Sequence, residues 1–265
     1  FMLKYAPKFK ELASRDIVAR AIAKEILENR GAGPNKDYVE LVIKNLQDEV
    51  IKEKLPGVTE IVKKFANLDI KKDPVPVAPS AHYCMGGIPT NIFGQVLDYR
   101  AEKESIIKGL YCLGEAGCIS VHGANRLGCN SLLDLIVFAK SCANKIILDN
   151  SKSKNDMSFN LRALEEKLEN FEDLLLSNNY AIEIDSLRVR MRKVMQDFVG
   201  VFKNGELLIK ALSELNILKD QIYSISVKDK SMIFNEDLKE LLELRNMILQ
   251  AIVTTKASLV REESR

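Results

Sequence analysis

Apolar residues near the start of the chain recur at helical spacing. Ile17, Val18, Ala21, Ile22, Ile26 and Leu27 follow Ser14, a natural N-cap, and the pattern stops at Gly31. Arg15 therefore sits in the first turn, where the helix dipole does not favour a cation. A second helical pattern runs from Val58 to Leu68. Asp73-Pro74-Val75-Pro76-Val77 then forces an extended segment, because each proline biases the residue before it away from the helical region. Gly94 to Asp98 reads as a short strand and turn, and Ile106 to Leu113 as a buried strand ending at Gly114. From Asn130 or Ser131 a helix runs to about Lys145. Leu132, Leu133, Leu135, Ile136, Val137, Phe138 and Ala139 leave it almost no polar face, which predicts a place at the centre of a larger fold.

Beyond Asn150 to Asp156, a polar linker, the pattern turns amphipathic. Four helices are predicted at 158–177, 181–199, 204–224 and 235–260, with Gly200 between the second and third. The last carries the stripe Leu238, Leu241, Leu242, Ile248, Leu249 and Ile252 between Glu and Lys. This stretch reads as a helical bundle whose charged faces are solvated.

With 265 residues and 46% hydrophobic content, the chain can bury a real core. Its 39 basic and 37 acidic residues balance, and the basic ones cluster only in pairs such as Lys63-Lys64, so nothing points to nucleic acid. The five cysteines make no C-x-x-C pair and read as reduced thiols, with no metal site expected. No signal peptide is visible, and the longest apolar run, Leu132 to Ala139 interrupted by Asp134, is too short to span a bilayer. The chain enters on Phe1-Met2-Leu3 and stops on Arg261 to Arg265 without a capping glycine or proline, so a fragment of a longer protein is expected.

The chemistry concentrates in two stretches, His82 to Thr90 and Gly114 to Ser131. They hold both histidines, His82 and His122, and Gly86, Gly87, Gly114, Gly117, Gly123 and Gly128 of the chain's thirteen glycines. Such runs bring backbone close to a ligand and converge a few polar groups on it. Gly31-Ala32-Gly33 follows a helix and lacks a third glycine, so it is a turn and not a dinucleotide fingerprint. A strand ending in Gly114-Glu115 would put a carboxylate at the carboxyl end of a parallel sheet, where cofactor hydroxyls can bond to it. The amides of Ser131 and Leu132 open a helix whose positive end can stabilise an anionic reduced ring. Arg126 offers a bidentate fork for a substrate carboxylate, and His82 a second donor.

His82-Tyr83-x-Met85-Gly86-Gly87-Ile88-Pro89-Thr90, Gly109-Leu110-Tyr111-x-x-Gly114-Glu115-Ala116, and Ser120 to Leu135 resemble the flavoprotein subunits of succinate dehydrogenase, in the wider fumarate reductase and L-aspartate oxidase superfamily. Ser14 to Arg20, Leu187 to Gln196 and Gly200 to Leu208 resemble further segments of that family, so the likeness covers essentially the whole chain. It implies an α/β plus α fold in three parts. Residues 1–80 are the end of a substrate-capping domain, 81–150 the returning part of an FAD-binding α/β domain, and 151–265 a truncated helical domain. It implies oxidation of succinate to fumarate, with Arg15 as the catalytic residue that exchanges a proton with a substrate carbon. His82 and Arg126 bind substrate, while Glu115, Ser131 and Leu132 meet FAD. His122 is expected to support the Gly123 turn.

The implied partners are an iron–sulfur subunit and membrane anchor subunits. They would hold the protein peripherally at the cytoplasmic face of a bacterial inner membrane or on the mitochondrial matrix side. The family's N-terminal FAD fingerprint, its flavin-attaching histidine and its upstream substrate-binding segment have no counterpart here. The chain is thus expected to hold half of a split site and to be inactive alone. A fumarate reductase or L-aspartate oxidase-type enzyme is one alternative, although Ile88-Pro89-Thr90 and Leu127 to Asn130 lean away from the oxidase. A non-catalytic remnant of a split gene is another.

Overall fold

Helix α2 (Arg15–Leu27) follows the short helix α1 (Met2–Tyr5) and forms where the apolar spacing predicts it. These elements belong to a computed structural model that describes residues 1–100, 103–123, 125–150, 161–179 and 182–261. Ser14 occupies the N-cap of α2, but its hydroxyl donates to Asp16 Oδ1 at 2.6 Å and caps no backbone amide. That bond, with Arg20 donating to Oδ2 at 2.6 Å, holds the Asp16 carboxyl below the usual range. After α2, Ala32 bridges to Tyr38 and Gly33 adopts φ +78°, the turn expected at Gly31 to Gly33.

Strand β1 (Val39–Leu41) was not legible in the sequence, and neither was α3 (Asp48–Lys54). The second predicted helix starts two residues early, as α4 (Pro56–Ile61) with proline at its first position, and continues through a π-type turn at Val62–Ala66. Asn67, at φ +54°, closes it in the left-handed conformation. The extended proline segment becomes β2 (Val75–Val77), paired antiparallel to β1 with Leu41 opposite Val75. Ile43, Ile51, Val62, Ile70 and Val75 form the core beneath these elements.

The chain's own contacts define two units, one of Phe1–Pro79 with Asn160–Arg265 and the other of Ser80–Phe159. The second unit is built from β3 (Ile88–Pro89), β4 (Gln95–Arg100), β5 (Lys103–Tyr111), β6 (Gly117–Cys118) and α5 (Asn130–Asn150). Here three expectations are corrected. The strand expected at 106–113 exists as β5, but it is exposed from Lys103 to Leu110, because among the described residues only β4 pairs with it. That pairing is an antiparallel hairpin, so Glu115 does not end a parallel strand. It sits on a 3₁₀ turn, Gly114–Ala116, that feeds the two-residue parallel pairing of β3 with β6. Helix α5 is longer than expected and is not central within this chain. Leu132 is 63% exposed and Ile136 70%, since these apolar positions have no cover among the described residues.

Residues 151–156 of the expected linker lie outside the described residues. The amphipathic patterns become α6 (Leu161–Leu176), α7 (Ile184–Phe198), α8 (Gly205–Ser224) and α9 (Glu236–Val260). Asn204 and Asn235 cap α8 and α9 by accepting from the amides of Leu207 and Leu238, at 2.9 and 2.8 Å. Leu187, Met191, Leu215, Leu218, Leu241, Leu244 and Ile248 interdigitate as the main core of these helices. An Arg188–Glu240 ion pair joins α7 to α9. Among the described residues no helix is long and apolar enough to cross a membrane.

Candidate functional site

The first of the two glycine-rich stretches earns its glycines at Gly87. This residue lies at φ +124°, and a Cβ there would stand 2.5 Å from the carbonyl oxygen of Ala116. Only glycine lets the backbone approach so closely and set Ile88 opposite Gly117. The same approach brings the Cys84 amide to Glu115, whose Oε1 accepts from it at 2.9 Å. Gly114, buried at φ +64°, turns the chain from β5 into the Glu115 turn, and a Cβ there would press into Leu135 of α5. Glu115 is therefore fixed through one carboxylate oxygen. The other has no bond among the described residues.

Arg126 comes from the loop before α5. Its guanidinium lies 4.3 Å from the Tyr83 ring centroid, and Nη1 donates to the carbonyl of Leu127 at 3.1 Å. Nε is buried with no partner among the described residues. Tyr83 meets His122 edge to face, with centroids 5.9 Å apart and ring planes at 89°. His122 Nε2 stands 3.1 Å from Asp134 Oδ2, and both side chains are mostly buried. Burial pushes the Tyr83 phenol up, and the negative charges of Asp134 and Glu115 push it further against a smaller opposing effect of Arg126. His122, expected only as support for a turn, is thus one member of a packed polar cluster.

His82, Tyr83, Glu115, Arg126, Ser131 and Leu135 line an open cavity of about 280 Å³. Four residues singled out from the sequence, His82, Glu115, Arg126 and Ser131, converge there. Leu132 does not line it, and its N–H already donates to Cys129 at 3.1 Å. The Ser131 amide, one residue earlier, has no acceptor among the described residues. Arg15 belongs to the other unit, where it is exposed at the first position of α2 and makes no ion pair among the described residues.

Sequence reasoning missed Tyr83 and Asp134. A signal for Asp134 was present, as the acid that interrupts the apolar run from Leu132 to Ala139. Tyr83 was hidden because it acts through two residues some forty positions away. The donor set suits a hydroxyl-rich, electron-poor ring cofactor. The free Glu115 oxygen can accept from hydroxyls, and the amino-terminal end of α5 can face developing negative charge. Arg126 and His82 can face carboxylates.

A family model described as "FAD binding domain" matches residues 1–132, and one described as "Fumarate reductase flavoprotein C-term" matches residues 188–265. The succinate dehydrogenase flavoprotein subunit of Rickettsia bellii (strain RML369-C) is 44% identical over all of this chain, and the chain covers 44% of that protein. The mitochondrial succinate dehydrogenase [ubiquinone] flavoprotein subunit of Oryza sativa subsp. japonica is 41% identical over the whole chain, which covers 42% of it. Among solved structures, a variant of E. coli quinol fumarate reductase superposes with a TM-score of 0.83 at 29% identity, covering 97% of this chain and 42% of that one. The chain therefore spans less than half the length of these relatives. With two family models in chain order and likeness along its full length, the chain belongs to the FAD-dependent succinate dehydrogenase and fumarate reductase flavoprotein family.

Proposed function

We propose that this chain supplies the carboxyl-side part of a succinate-oxidising flavoprotein subunit, with residues 1–80 ending a capping domain, 81–150 completing the FAD-binding domain and 151–265 forming the helical domain. The observation that carries the reading is the convergence of His82, Glu115, Arg126 and Ser131 on one cavity. FAD, when bound, supplies the two-electron acceptor for dehydrogenation of a dicarboxylate. Glu115 accepts from its hydroxyls, and the Ser131 end of α5, with Leu132 next to it, favours negative charge on the reduced ring. Arg126 grips one substrate carboxylate with its planar fork, and His82 donates to the substrate from the cavity rim.

Arg15 takes the proton from a substrate carbon. Guanidinium is almost never deprotonated in water, so this role requires a desolvated setting that the exposed first turn of α2 does not provide in this chain alone. Activity accordingly requires the family's amino-terminal portion, in cis or as a second polypeptide. Removal of electrons requires an acceptor, for which an iron–sulfur subunit and membrane anchors, with peripheral attachment to the membrane, are the natural partners. One solved neighbour is a quinol fumarate reductase, and the potentials of those partners would decide the direction of turnover.

The test is a visible absorbance spectrum of the purified chain after incubation with FAD and desalting, repeated with the amino-terminal portion of a related flavoprotein added. The expected result is flavin retained only in the mixture and bleached there by succinate. Flavin retained by neither sample favours a non-catalytic remnant, whereas succinate-dependent dye reduction by the chain alone sinks the split-site reading.

A further inference from the structure

The loop that carries Arg126 does little to fix its guanidinium. The only hydrogen bond of that group among the described residues goes to the carbonyl of the next residue, and no carboxylate pairs with it. The loop is not rigidly helical either, for Gly123 and Cys129 on its two sides both lie at positive φ, +59° and +65°. Planar, two-pronged recognition of a carboxylate nevertheless demands a fixed plane. The structure offers one source of that plane, the face of Tyr83.

We propose that Asp134, His122 and Tyr83 are positioning residues that carry the rigidity of α5 to the Arg126 guanidinium, and this rests on the reading of Arg126 as a carboxylate-binding residue. Asp134 lies in the second turn of a 21-residue helix, whose hydrogen-bonded backbone fixes its position. That carboxylate accepts from the Nε2–H of His122 at 3.1 Å and fixes the tilt of the imidazole ring. The imidazole stands perpendicular to Tyr83 and limits the rotation of its ring. The Tyr83 face in turn holds the guanidinium at 4.3 Å. Each contact is modest, yet the chain is continuous from the helix backbone to the binding fork. The raised pKa of the Tyr83 phenol accords with this, since it keeps the ring neutral beside Asp134 and Glu115.

The test has two parts. In the chain itself, nuclear magnetic resonance reads the ring-current shift that Tyr83 imposes on the Arg126 side-chain protons. Tyr83→Leu abolishes that shift and Tyr83→Phe retains it. His122→Asn and Asp134→Asn, at residues with no hydrogen bond to Arg126 among the described residues, reduce it while circular dichroism reports unchanged helicity. An Arg126 signal indifferent to His122→Asn and Asp134→Asn overturns the proposal.

In the mixture with the amino-terminal portion and FAD, malonate binding is followed through the flavin spectrum. Tyr83→Leu weakens it about three- to tenfold with flavin retained, as expected for loss of one cation–π contact, and Tyr83→Phe restores it. If Arg126→Gln leaves malonate affinity unchanged, the carboxylate-binding reading of Arg126 fails, and the magnetic resonance result still decides the stack. If Arg126→Gln weakens binding and Tyr83→Leu does not, the positioning role fails and the carboxylate reading stands.

Discussion

Glu25 concentrates more hydrogen bonds on one side chain than any proposed site residue does. Tyr5 donates to Oε1 at 2.5 Å, while Arg30 donates through Nε to Oε2 at 2.7 Å and through Nη2 to Oε1 at 2.8 Å. The Arg30 bonds first, and then the Tyr5 bond, lower its carboxyl from an ordinary 4.5 to about 2. Because the folded value lies below the unfolded one, the stabilisation is complete above pH 4.5 and is lost as pH falls through about 2. Thermal unfolding between pH 6 and pH 2 checks this. Glu25→Gln lowers the unfolding temperature by several degrees at pH 6 and by little at pH 2. Equal losses at both ends would remove this carboxylate from the acid sensitivity of the fold. The network tied to Glu25 was not readable in the sequence, since Tyr5 reaches it only after α1 folds back onto α2, and Arg30 only through the turn that ends α2.

At the scale of elements, periodicity located the helices well and placed their burial badly. Helices α7, α8 and α9 begin and end within a few residues of the amphipathic patterns, because Leu and Ile at three- and four-residue spacing have one way to be buried together. Strand partners were the weak point. A run such as Ile106 to Tyr111 contains nothing that says whether its neighbour runs parallel or antiparallel, and the hairpin with β4 follows from the short connection between them. Burial failed for a related reason. A helix that is apolar on most sides tells what it needs around it, and among the described residues α5 lacks that cover. The contrast can be measured. Leu244→Ala, at a fully buried position of α9, costs about 2–5 kcal/mol in urea unfolding, whereas Leu132→Ala, 63% exposed on α5, stays within about 0.5 kcal/mol. Similar losses for both would contradict the burial of one and the exposure of the other.

At the scale of the whole molecule, the motifs and the core sit in different units, and this explains what could be read from sequence. The site's residue types were legible because glycine at positive φ, a fork-shaped cation and a turn carboxylate each have a local reason to be where they are. The cluster of Tyr83, His122 and Asp134 was not, because it exists only once α5 and two loops meet. The same unit leaves Ile106, Ile107 and Leu110 of β5 and Leu132, Leu133, Ile136 and Val137 of α5 exposed, and large exposed apolar patches mark interaction surfaces. If the family's amino-terminal portion covers this surface, a dye that fluoresces on apolar surface brightens strongly with the chain alone and dims when that portion and FAD are added. The paired substitution Leu132→Ser with Ile136→Ser lowers the dye signal of the chain without loss of helicity, since both side chains face solvent. It also weakens the dimming on mixing, because the apolar contact has lost two of its larger members. A dye signal that the paired substitution leaves intact would locate the sticky surface elsewhere, and a mixture that stays bright would mean that the added portion does not dock on α5.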